Sequence, residues 1–424
     1  MQQHSKPSVS LIHGAFGFAI GTLFFGYAFI QRVAPSVMTE ELMRDFQVGG
    51  AALGGLSAWY FYAYAGIQLP VGILTDRFGP RKLMSFAALV CALATFGFAS
   101  SDGLLGASIS RALIGFTVAF GFVGTLTIAT YAFLPKRFAM LAGLMQSVGM
   151  FGAIAGQAPL RLVIESVGWR DASLALAGLA LVISALCFFV IPRRPPSLRH
   201  QDENSGSVGG IRQGLGVVLK NSQSWYCAGI GFGLTAIMLS FSGLWAVPWF
   251  SSVHGFSKAE AAAIASMLFL GWAIMSPLAG WLSDHFERRK PVLLTGIIGN
   301  LFVYSLLLFW APADARILSA LMFLCGMSGS TMTVTFSAIR ELNPVRFSGT
   351  SLGLMNMWVV GSGAVMQPVI GWLLDRNWQG VLVDGARSYS AAAYQSAFIS
   401  LLMVNGIALL CLVMLKETRC RQLG

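Results

Sequence analysis

The chain has 424 residues, of which 56% are hydrophobic and only 11% charged, about half the charged share of a soluble domain; its mean hydropathy is +0.70. So few charges cannot cover the cores that a soluble chain of this length would form, which excludes a soluble fold and indicates an integral membrane protein. The net charge of +11 comes from Lys and Arg in twos and threes between apolar runs, the pattern of membrane loops and not of a nucleic-acid grip, so no nucleic-acid partner is expected.

Runs long enough to cross ~30 Å of hydrocarbon predict twelve helices, at residues 12–35, 49–74, 83–100, 104–133, 138–164, 170–192, 225–250, 259–284, 290–311, 314–340, 347–375 and 391–416. The first is too long for a cleaved signal segment and is expected to be retained. Between the sixth and seventh lies the longest polar stretch, RRPPSLRHQDENSGSVGGIRQGLGVVLKNSQ, rich in the residues that favour linkers. The expected organisation is all-α: a six-helix unit over 1–192, a linker over 193–222 and a second six-helix unit over 223–424. With both termini inside, the inner segments hold nineteen cations and the outer loops six, so the termini and linker are assigned to the cytoplasm. The expected setting is the lipid bilayer of the cell membrane, the inner one in a Gram-negative cell, and the expected state a monomer.

Six cysteines are scattered without metal-ligand or disulfide spacing, and five of them lie in apolar runs as small core residues. Neither HExxH nor GxSxG occurs, and GIGFG (Gly229 to Gly233) falls inside an apolar helix where no nucleotide loop forms. No enzyme, metal or cofactor is expected.

The loop after the second predicted helix reads GILTDRFGPRK (72–82), and the loop after the eighth reads GWLSDHFERRK (280–290). Gly72, Asp76, Arg81 and Lys82 recur as Gly280, Asp284, Arg289 and Lys290. PKRFAMLAGLM from Pro135 likewise aligns with PVRFSGTSLGLM from Pro344. The two halves are therefore parallel duplicates. Twelve helices in two such halves, with GxLxDRxGxRK matched at Gly72, Leu74, Asp76, Arg77, Gly79, Arg81 and Lys82, resemble the major facilitator superfamily of secondary transporters over essentially the whole chain. The resemblance implies a carrier working by alternating access. Gly72 lets its helix approach a neighbour closely, and Asp76 can accept from the orphan N–H groups that start a helix of the other half. By resemblance that partner is the start of the eleventh helix, near Phe347 to Thr350, and the contact latches the cytoplasmic side. Arg111, Gly115 and Gly121 resemble the family's second motif; Gly143, Gly149, Gly152 and Gly156 resemble its glycine-rich fifth helix and are read as packing positions.

Several polar residues stand inside the spans. Tyr60, Tyr64 and Gln68 form an i, i+4, i+8 stripe, as a cavity wall or a packed face would. Gln146 and Gln157 share one helical face, and Asn356 and Gln367 repeat them 210 residues on; they are expected either to line a central cavity or to glue helices together. Arg32 and Arg111 lie within helices and are costly there without a partner, as is Arg161. Arg32 resembles in position an anion-binding arginine of the organophosphate:phosphate antiporter branch, although the seventh helix here lacks that branch's second arginine. Snorkelling to the outer headgroups is the alternative for Arg32 and, more so, for Arg161. Asp76, Glu165, Asp284, Glu341 and Asp375 all sit at helix ends, and no carboxylate lies in mid-span. An anionic small-molecule substrate would supply the missing charge, crossing with a proton or against a counter-anion. A carrier of a neutral or zwitterionic solute such as an amino acid or sugar, or an efflux carrier, is the alternative.

Overall fold

The computed structural model describes residues 11–133, 138–192, 208–310 and 313–423, and the side chains of Gly72, Asp76 and Arg77 lie outside that description. The first half contains α1 (Leu11–Val33), a short α2 (Thr39–Asp45), α3 (Gly50–Phe78), α4 (Pro80–Ala99), α5 (Leu104–Ala132), α6 (Phe138–Ala155) and α7 (Ala158–Val190). After α8 (Val208–Lys220), the second half runs α9 (Ser222–Ala236), a π-helical stretch Ile237–Trp245, α10 (Ala246–His254), α11 (Lys258–His285), α12 (Lys290–Ser305), α13 (Ala315–Ser330), α14 (Thr333–Glu341), α15 (Ser348–Arg376) and α16 (Ala391–Met414). A two-residue hairpin, Leu382–Val383 against Ala386–Arg387, is the one strand pair among the described residues. Among the described residues, ten helical stretches are long and apolar enough to cross a membrane, and one, Met140–Val190, is 51 residues long. Its chain turns at Gly168 (φ 85°, ψ 163°), a left-handed conformation that glycine reaches without a Cβ penalty. The turn falls between the predicted helices 138–164 and 170–192.

Local chemistry sets the ends. Gly79 (φ 77°) closes α3 and Pro80 opens α4, the arrangement in which glycine ends a helix and proline starts one. Ser257 and Glu260 form a capping box on α11, and Asp314 accepts from Arg316 N and Ile317 N at the start of α13. These capped starts lie at the end of the molecule that the cation distribution assigns to the outside, termed the outer end.

Lipid offers no hydrophobic drive between helices, so close packing of small residues must hold them. A Cβ on Gly152 would stand 2.1 Å from Gly26 O, and one on Gly115 would stand 2.0 Å from Tyr60 O. These contacts join α6 to α1 and α5 to α3. Gly156 likewise meets the Ile30 backbone of α1 and Gly149 the Phe25 and Phe29 rings, whereas Gly143 and Gly280 face open space. Between the halves, α3 runs antiparallel to α15: Gly50 lies on Gly371, Gly54 on Gln367 and Phe61 on Gly363.

Within the predicted linker, Val208–Lys220 is helical. Leu215, Val218 and Leu219 stand at i, i+3 and i+4, one helical face. Val218 is fully buried against Phe347 and Leu354, so α8 packs on the start of α15, the segment that the family resemblance pairs with Asp76.

Candidate functional site

Arg32 on α1 and Arg111 on α5 come together around the Tyr60 and Tyr64 rings of α3. Arg32 is only 6% exposed and Arg111 only 1%. The Arg32 guanidinium carbon lies 4.2 Å from the Phe29 ring centre, 5.2 Å from that of Tyr64 and 5.8 Å from that of Tyr60. The Arg111 carbon lies 5.0 Å from the Tyr60 ring centre. The Tyr60 and Tyr64 rings are stacked at 6.1 Å, and Tyr60 OH donates to Ala28 O at 3.0 Å, which pins the ring to α1. Arg32 does not reach for the outer surface; it is folded back against α3.

Arg111 Nη1 donates to Gln31 O at 2.8 Å, but its Nε and Nη2 and Arg32 Nε are buried without an acceptor. Each ring face supplies about 0.5–2 kcal/mol to a cation. Keeping an ion in low dielectric costs several kcal/mol, so the rings do not compensate two guanidinium groups. No carboxylate faces either one among the described ion pairs. The site is a buried, aromatic-walled cluster of positive charge with three donor nitrogens that lack an acceptor. It suits a small anion.

Arg161 is different. Its Nη1 reaches Glu41 Oε1 at 2.8 Å and Val37 O at 2.8 Å, and its Nε reaches Glu165 Oε1 at 2.9 Å. Lys258 of the other half joins Glu41 at 3.2 Å and Glu40 at 2.7 Å. Arg161 thus belongs to an outer ion cluster that spans the two halves, apart from the Arg32 and Arg111 pair. Burial raises the Glu41 pKa, but the Arg161 hydrogen bond and the Lys258 and Arg161 charges outweigh it and hold it below the usual value.

The duplicated amides part company. Gln157 is fully buried, accepts from Ser36 Oγ at 3.3 Å and donates to Ser242 O at 3.1 Å. Gln367, equally buried, donates to Leu239 O at 2.7 Å. Both therefore hold carbonyls of the π-helical stretch, where i→i+5 pairing disturbs the ordinary ladder. Gln146 and Asn356 are half-buried, and Gln68 is buried with its Nε2 unpartnered.

At the opposite end, the second loop motif is engaged within its own half. Arg289 binds Glu341 at 2.6 Å and also Asp284. Glu417 of the C-terminal tail caps α12 by accepting from Arg289 N and Lys290 N, both at 2.9 Å. Lys290 Nζ donates to Leu415 O at 2.8 Å. In the first motif, Arg81 lies 5.1 Å from the Phe188 ring centre and Lys82 is exposed.

Sequence reasoning missed three sets of residues. Tyr27, Gln31 and Thr95 form a buried network directly behind Arg111, with Gln31 Nε2 donating to both Tyr27 OH and Thr95 Oγ1. Tyr27 and Gln31 stand at i, i+4 on α1, a polar pair that was readable. Glu41 with Lys258, and Glu341 with Thr418, join residues 217 and 77 positions apart, which no local pattern signals.

Comparison with known proteins matches this architecture. A probable sulfoacetate transporter of Cupriavidus necator is 24% identical over 84% of this chain and 86% of its own. A probable galactarate/D-glucarate transporter of Escherichia coli is 23% identical over 88% and 89%, and a phosphoglycerate transporter protein of Salmonella typhimurium 24% identical over 86% and 82%. Among solved structures, a bacterial homologue of the human lysosomal transporter Spinster, inward-facing and unoccupied, superposes with TM-score 0.75 at 15% identity over 96% of both chains. A D-xylose-proton symporter gives 0.72 at 18% identity over 98% of this chain and 100% of its own. The Major Facilitator Superfamily model matches residues 18–247 and 230–421, and the chain belongs to that superfamily.

Proposed function

We propose that the protein is a secondary active transporter that moves a small organic anion across the cell membrane by alternating access, with Arg32 and Arg111 holding the anionic group. The observation that carries this reading is two buried guanidinium groups with idle donors and, among the described residues, no carboxylate partner. Relatives whose names give sulfoacetate, galactarate/D-glucarate and phosphoglycerate as cargo support it, since all three are small anions. Tyr60 and Tyr64 form the wall behind the anion. Gln68, Gln146 and Asn356 are the polar groups assigned to the rest of the substrate. Gln157 and Gln367 act on it only through the π-helical stretch they hold.

The chain crosses the membrane twelve times in this proposal, α3 adding one crossing to the ten stretches and the 51-residue stretch counting as two turned at Gly168, with both termini in the cytoplasm. Each half moves as a unit, and the linker joins them. No mid-span carboxylate is present to cycle a proton, so compensating charge travels with the substrate as a co-transported proton or in exchange as a counter-anion. Uptake of radiolabelled carboxylates, sulfonates and phosphate esters into proteoliposomes tests the function. Saturable uptake of at least one anion, abolished in Arg32→Gln, is expected. Transport of only neutral or cationic solutes would overturn the reading in favour of a polar-neutral carrier.

A further inference from the structure

Among the described residues, the polar contacts between the two halves gather at the outer end, and one of them uses a residue with no assigned role. Asp375, the last acidic residue of α15, accepts from Gly50 N at 2.9 Å through Oδ1 and from Ala51 N at 2.8 Å through Oδ2. Gly50 and Ala51 are the first two residues of α3, in the other half. A carboxylate astride two orphan N–H groups meets the positive end of the helix dipole. Its own half holds it in place: Tyr389 OH donates to Oδ1 at 2.6 Å and Arg387 Nη1 at 3.1 Å. Tyr389 OH also accepts from Gly50 N at 2.8 Å. The approach needs bare backbone, because a Cβ on Gly371 would stand 2.1 Å from Gly50 O.

The sequence around Asp375 is GWLLDR (371–376), which repeats the spacing of GILTDR (72–77) at the other end of α3. Since α3 and α15 run antiparallel, each ends in GxLxDR at the point where its partner begins. We infer that Asp375 is the outer latch of the transport cycle, released when the halves part on the outside, and the counterpart of the Asp76 latch expected on the cytoplasmic side. Rocking about a central site separates one pair of ends as it closes the other, so the two contacts alternate. The inference rests on the two-half fold and not on the nature of the cargo.

Spin labels on cysteines introduced at Asp171 and Arg316, exposed positions on the outer ends of opposite halves, read the outer distance directly and without substrate. Asp375→Asn keeps the shape but turns an amide toward an N–H donor. Ala51→Pro deletes one donor at the helix's first turn, where proline is tolerated, and leaves Asp375 with its Tyr389 and Arg387 contacts. Each should raise the ratio of long to short outer distances about tenfold, the equivalent of one charge-assisted hydrogen bond. Unchanged distances in both variants would overturn the inference. A shift in Asp375→Asn alone would overturn it too, since the residue would then act only on its own loop. Shifted distances in a protein that carries no anion would sustain the latch while defeating the function proposed above.

Discussion

Three arginines lie within the predicted helices, and their surroundings decide what each does. Arg161 has two carboxylates and a carbonyl, a fully paired cation, whereas Arg32 and Arg111 have rings and idle donors. Arg32→Lys keeps the charge but loses the planar fork that takes a carboxylate or phosphate through two bonds. It should weaken substrate affinity about 10-fold or more, the equivalent of ~1.5–3 kcal/mol, and Arg32→Gln should abolish saturable uptake; equal uptake by all three proteins would refute the role. Acid should act elsewhere. Glu41 is held below the ordinary range by Arg161 and Lys258 against the cost of burial. Glu417 is likewise held down by the Arg289 and Lys290 N–H groups against its own burial. A depressed folded-state pKa means stability that is fully present above the unfolded value of about 4.3 and lost as pH falls through the folded one. The melting temperature in detergent should therefore be flat from neutrality to about pH 5 and decline below the unfolded value. Glu41→Gln should lower the plateau by the equivalent of about 1–3 kcal/mol and flatten part of the decline.

Among the elements, the π-helical stretch Ile237–Trp245 is the most constrained. All nine of its residues are buried, and it is held from both sides: Gln157 on Ser242 O, Gln367 on Leu239 O, and Ser242 Oγ on Ala265 O. Gln367 Oε1 has no partner, so the side chain acts as a donor alone. Gln367→Leu should cost about 1–3 kcal/mol by orphaning one buried carbonyl. Gln367→Glu, nearly identical in shape, sets a carboxylate against that carbonyl and should cost more at neutral pH, with the gap closing as the group protonates. Melting temperatures of the two variants at pH 7.5 and pH 5 check the order. Equal costs at both pH values would show that volume and not donor chemistry matters.

At the scale of the molecule, transport needs two arrangements of the halves, and the outer contacts (Asp375 on α3, Gln157 on Ser242, Lys258 on Glu41) hold one of them. If Asp76 holds the other, Asp76→Asn should shift the population toward the outer-closed form and Asp375→Asn away from it. Labelling of single cysteines from each side by membrane-impermeant thiol reagents checks this. Shifts of the same sign would show that the aspartates support folding in general and not opposite states.

Much of this protein was legible in the chain itself because bilayer physics narrows the choices. A span must be long, apolar and helical, since lipid offers no hydrogen bonds to a bare backbone. The element boundaries accordingly fell close to expectation, from Gly50–Phe78 against 49–74 to Ala391–Met414 against 391–416. Duplicated motifs predicted two halves, and a cation inside an apolar run marked Arg32 and Arg111 as costly. What one sequence does not contain is distance between residues far apart in the chain. That Arg161 is neutralised while Arg32 is not depends on Glu41, 120 residues from Arg161. That Asp375 lies on the first turn of α3 depends on a contact across 325 residues, and that Gln157 and Gln367 grip one π-helical stretch depends on how three helices cross. Hydropathy and helical period are properties of neighbours along the chain, and so the sequence determined the spans and their polar exceptions. Charge compensation and latching are properties of neighbours in space, and only the packed helices decided those.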